Sequence, residues 1–83
     1  MKYRRLMRYF FDTRDNRTFI EDEVGVELSG FEAAKELAAV SLAELAKEVL
    51  PGSLRRVLSV EVRDMHRPIL KDVMTFEAIS LAN

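Results

Sequence analysis

Apolar side chains recur with two different periods along this chain, and each period predicts a type of element. Between residues 31 and 49 they fall at Phe31, Ala34, Ala38, Leu42, Leu45 and Val49. Steps of three and four keep these on one stripe of a 3.6-residue helix. Glu32, Lys35, Glu36 and Lys47 occupy the opposite side. Ser29-Gly30-Phe31-Glu32 fits a capping box at the start, with Ser29 as cap and Glu32 reaching back to it. Leu50-Pro51-Gly52 predicts the stop: Pro51 disfavours a helical residue before it, and Gly52 tolerates a left-handed turn.

Elsewhere the spacing is two. Arg8-Tyr9-Phe10-Phe11-Asp12 is aromatic and strand-like, and Thr18-Phe19-Ile20-Glu21 returns after a turn in which Asn16 is the candidate for positive φ. Asp22-Glu23-Val24-Gly25 reads as a bend. After the helix, Leu58, Val60 and Val62 alternate with Ser59, Glu61 and Arg63, the pattern of a half-buried strand. Asp64-Met65-His66-Arg67 forms a turn, and Pro68 opens a last strand with Leu70, Met74, Phe76 and Ala78 on one face. The expectation is an α+β domain of order ββαββ, with one long helix on one face of a four-stranded antiparallel sheet. Both strand orders 2-1-3-4 and 1-2-4-3 make every neighbouring pair antiparallel.

One helix covers only one face of such a sheet. By alternation the other face should carry Phe10, Val57, Ile69, Val73 and Ile79, mixed with Arg and Glu, while Leu37 and Val40 fall outside the main helical stripe. These seven apolar positions are the candidate interface, and a contiguous patch of that kind is unusual in a monomer. A homodimer is the expected assembly.

Composition narrows the chemistry. Eighty-three residues, 48% of them hydrophobic, make one domain with one core, spanning 1–83, of which 1–7 reads as a flexible basic segment. Without cysteine there is no disulfide framework and no thiolate nucleophile or metal site. The start has no apolar run of signal-peptide length and no stretch is long enough to span a bilayer, so the cytoplasm is the expected compartment. Net charge is −1, unevenly spread: residues 1–20 carry six basic and two acidic groups, residues 21–50 two basic and eight acidic. The overall balance argues against a general nucleic-acid binder.

Candidate sites are few. Lys2, Arg4, Arg5 and Arg8 interleave with Tyr3, Tyr9, Phe10 and Phe11, residue types that hold single-stranded nucleic acid through phosphate contacts and stacking. Rings buried in a core cannot stack on bases, and that reading is preferred; an antitoxin-like nucleic-acid regulator is the alternative function. Glu21, Asp22 and Glu23 lack the spacing of a calcium loop and read as a solvated turn. His66 is the single histidine, so no histidine cluster can hold a metal, and its place in a turn accounts for it. No serine has a nucleophile-elbow context and the three glycines make no phosphate loop. No catalytic, cofactor or metal residue is assigned, and the reading is of a non-catalytic interaction module.

Taken in order, Arg8-Tyr9-Phe10-Phe11-Asp12, Asp22-Glu23-Val24-Gly25-Val26-Glu27-Leu28, Phe31-Glu32-Ala33-Ala34, Val62-Arg63-Asp64 and Arg67-Pro68-Ile69-Leu70 resemble a family of short bacterial proteins classed as a domain of unknown function, common in soil and plant-associated bacteria. The resemblance covers roughly residues 8–79. It implies a cytoplasmic ββαββ module with no assigned activity, catalytic residue or cofactor. The chain departs from the family pattern where members often have glycine, at Asn16 or Arg17 and at His66; Asn and His tolerate positive φ better than most residues. A fainter likeness, at the level of fold alone, is to the small N-terminal domain of HicB-type antitoxins.

Overall fold

The computed structural model describes residues 5–82. Strand β1 (Met7–Asp15) is followed by two short strands, β2 (Thr18–Ile20) and β3 (Val26–Leu28), then helix α1 (Phe31–Val49), β4 (Arg55–Arg63) and β5 (Pro68–Glu77). All pairings are antiparallel, in the order β2-β1-β4-β5, with β3 on the same edge of β1 as β2. Of the two orders left open by the sequence, the structure takes the one in which β1 and β4 are central. The sheet has five strands rather than four, because β3 pairs with Met7–Tyr9 at the beginning of β1. Met7, assigned from sequence to a flexible segment, is therefore the first residue of a paired strand.

Register places Phe11 beside Val62 and Thr13 beside Val60, then Val62 beside Leu70 and Leu58 beside Met74. Alternation puts all of these on the helix side. Leu58, Val60 and Val62 are fully buried, each contributing roughly 1.5–3 kcal/mol by leaving water. The helix meets them through Ala34, Ala38, Leu42 and Ala46, its four buried residues. Three of these four are alanine, which lets the helix lie close on the bulky side chains of β4. Leu45 and Val49 flank this row as expected, whereas Phe31 is exposed.

The helix does not begin with the expected capping box. Gly30 is the cap residue and no side chain bonds there. The box needs cap and carboxylate three residues apart, and from Gly30 that position is Ala33. Glu32 instead pairs with Lys35 at 3.1 Å. At the other end Leu50 caps the helix by donating its N–H to the Ala46 carbonyl at 2.9 Å, the Leu50–Pro51 bond is cis, and Gly52 has φ 52°. No helix among the described residues is long and apolar enough to cross a membrane.

Candidate functional site

The densest polar constellation lies where β1, the β2–β3 connection and the end of β4 meet. Asp12 is 4% exposed, on the sheet face away from the helix. Its Oδ2 accepts from Arg63 Nε at 2.8 Å, and its Oδ1 accepts from the backbone N–H of Asp22 at 2.8 Å. Asp22 answers: its Oδ2 accepts from Phe11 N at 3.0 Å, and its Oδ1 accepts from Val24 N and Gly25 N, both at 3.0 Å. Arg63 also donates to the Asp22 carbonyl at 2.8 Å and lies 4.4 Å above the Phe10 ring.

This network fills a gap in the sheet. β2 pairs with Thr13–Asp15 and β3 with Met7–Tyr9, leaving residues 10–12 of β1 without a strand on that side. The Asp22 carboxylate stands in for the missing strand at Phe11. The turn that lets the chain do this needs Gly25, at φ 79°, where an added Cβ would lie 2.9 Å from Arg8 Cγ and from the Phe10 ring. Charge follows from these contacts. Burial pushes the Asp22 carboxyl up, but three backbone N–H donors and the Arg63 charge outweigh it and hold the group below the usual carboxylate range. The hydrogen bond that Arg63 donates to Asp12, with the charges of Asp12, Glu21 and Asp22, outweighs burial and raises Arg63 above its ordinary value.

A second clamp closes the other end of the sheet. Arg56 donates to both oxygens of Asp15, at 2.8 and 2.9 Å, and to the carbonyl of Val49 at 3.0 Å. A fork-on-fork pair of this kind fixes geometry as well as charge. It ties β1, β4 and the last turn of α1, where a cation is also favoured by the helix dipole. Beside it Asn16, at φ 53°, donates its N–H to Val57 O and accepts from Val57 N through its side chain, both at 2.8 Å. The β4–β5 turn is held by Asp64, whose Oδ1 accepts from His66 N and Arg67 N at 2.7 and 2.8 Å. These bonds lower the Asp64 carboxyl. His66 itself is exposed in that turn.

The sequence-derived sites fare unevenly. The acidic cluster is not simply a solvated turn: Glu21 and Glu23 are exposed, but Asp22 is half-buried and bonded to Asp12. The reason is Arg63, distant in sequence, which neutralises the pair. Arg8 is engaged with the Val24 carbonyl at 2.9 Å and with Glu27 at 3.4 Å. Arg5 is exposed, and Lys2 and Arg4 lie outside the described residues. Tyr9 is buried and Phe10 and Phe11 are half-buried, so their rings serve packing.

Of the seven interface candidates, Phe10, Val57 and Val73 do lie on the face away from the helix, Phe10 beneath Arg63. Ile69 does not: it is partly buried against the core, next to a register shift at Val62/Arg63 that interrupts the simple alternation. Ile79 is exposed beyond the end of β5. Leu37 is half-buried and Val40 exposed on the helix. Asp12, Arg14, Ser59, Glu61 and Lys71 crowd the same open face, around a depression of about 50 Å³ that Phe19 closes at one side. The bare face is therefore a mixed surface, apolar residues set among charged ones.

Sequence reasoning missed Asp12, Asp22, Arg56 and Arg63 as a set. The one local signal was Asp22 three residues before Gly25, the spacing of an aspartate that accepts from the turn it begins.

The fold and clamps define a small α+β protein in which a five-stranded antiparallel sheet carries one helix and is pinned at both ends by Asp–Arg pairs. The chain belongs to the family described as domain of unknown function DUF6894, whose model matches residues 8–74. Asp12, Asp22, Gly25 and Arg63 all fall within that match. Neither a curated protein nor a solved structure matches the chain.

Proposed function

We propose that this chain is a non-catalytic interaction module that acts as a homodimer. The observation that carries the reading is surface. Six large apolar side chains, Phe19, Ile20, Val40, Val57, Val73 and Ile79, are exposed. Association of two copies would cover part of that surface. The clamp aspartates and arginines support the non-catalytic half of the reading, because their hydrogen-bonding groups are committed to one another and to backbone.

Sedimentation equilibrium or light scattering at high micromolar concentration tests it. The expected mass is twice that of the chain. A monomer mass throughout the range removes the reading.

A further inference from the structure

β5 is the long free edge of the sheet: it pairs with β4 on one side and with no strand among the described residues on the other. Its backbone polarity can be assigned. Ala78 N donates to Leu54 O at 2.7 Å, in register with the Arg55↔Glu77 pair. In an antiparallel ladder bonding directions alternate, so Leu70, Asp72, Met74 and Phe76 turn their N–H and C=O toward β4. Lys71, Val73, Thr75 and Glu77 turn theirs outward. The β1 side of β4 agrees independently, since Asn16 N donates to Val57 O and thus directs the odd-numbered residues of β4 to β1.

We propose that this outward row is the seam of the homodimer, two β5 strands pairing antiparallel about a two-fold axis at Met74. The location rests on the dimer reading above and deepens it. A two-fold through Met74 sets Lys71 opposite Glu77 of the second copy and Val73 opposite Thr75, each twice. All four outward residues then exchange bonds, about eight in total. The charges argue for a second copy rather than for an unrelated strand. A lysine in mid-edge guards against strand addition. Lys71 has Glu61 as its cross-strand neighbour on β4 but forms no ion pair with it, so its ammonium stays able to meet a carboxylate on an added strand. This chain supplies the answering carboxylate six residues away. Glu77 is 52% exposed and otherwise only 3.7 Å from Arg55, a loose surface pair that leaves it able to turn to Lys71. Cross-strand opposite charges stabilise such a pairing and like charges oppose it.

The test is a charge swap, read as dimer dissociation constant by sedimentation or fluorescence dilution, with far-UV circular dichroism reporting the fold of each variant. Lys71→Glu sets carboxylate against carboxylate at both ends of the seam and should weaken the dimer about tenfold or more. Glu77→Lys should do the same. Lys71→Glu with Glu77→Lys should restore most of the affinity, which no local effect of either side chain predicts. Thr75→Pro is a second probe: it removes an outward N–H and leaves the β4 ladder bonds in place, so it should give a folded monomer. A wild-type chain that is dimeric, with both single charge variants and Thr75→Pro equally dimeric, overturns the seam. If Val57→Asp then dissociates it, the dimer survives with its interface on the open face. A wild-type monomer overturns both.

Discussion

Asp22 is the residue on which most local structure converges. It accepts from Phe11, Val24 and Gly25 and donates its own N–H to Asp12. Asp22→Ala leaves three N–H groups to find other partners and should cost about 2–3 kcal/mol in chemical denaturation. Gly25→Ala combines a positive φ with Cβ contacts of 2.9 Å and should cost about 1–3 kcal/mol. Acid acts at the same place. The Asp22, Asp15 and Asp64 carboxyls all lie below their ordinary value of 3.8: Asp22 despite its burial, Asp15 through the Arg56 hydrogen bond, Asp64 through two backbone donors. At low pH the unfolded chain therefore binds more protons than the folded one, and the stabilisation present above about pH 4 is lost as pH falls through the folded values. Thermal melts should show the melting temperature falling below about pH 4, with a shallower fall in Asp22→Asn. Asn16 was legible as a positive-φ turn residue because its side chain tolerates that conformation. Asp12 was not, since burial of a carboxylate makes sense only once Arg63, from the far end of β4, lies beside it.

At the scale of elements, the alanine row of α1 sets how close helix and sheet approach. Ala38 is fully buried within the cluster that holds Leu58, Val60 and Val62. Ala38→Leu keeps helix propensity but adds three carbons where there is no space, and should destabilise by about 1–3 kcal/mol through overpacking. Ala39→Leu, on an exposed position of the same helix, should be nearly neutral, and comparing the two melting curves separates packing from propensity. The helix and the β4–β5 hairpin were readable from periodicity because each runs nine residues or more. β2, equally short, was legible because a turn at Asn16 leads it back along β1, whereas β3 follows a bend and has no turn of its own to point to a partner. β3 exists by pairing with Met7–Tyr9, and the chain reaches it only because Asp22 and Gly25 turn the connection. The missed capping box is a related lesson, in which a one-residue shift to Gly30 removed the required spacing.

For the whole molecule, the proposed self-association would couple to stability. If two chains fold into a single sheet, the melting temperature should rise with chain concentration, since association draws the equilibrium away from the unfolded state. Calorimetry over about a hundredfold range of concentration checks this, and an invariant midpoint counts against the dimer. The bare face mixes apolar and charged residues, as alternation predicts, but burying Asp12 there depends on Arg63 from the end of β4. The outer edge of β5 was not visible in the sequence, as it depends on strand order.

The two short strands on the far side of β1 have a consequence for how assembly ends. β2 and β3 are three residues each, separated by the bend at Asp22, so that flank offers a newcomer no uninterrupted rail. A sheet with one stoppered border and one open border can be joined once. Growth should then stop at a pair instead of running on into a fibre.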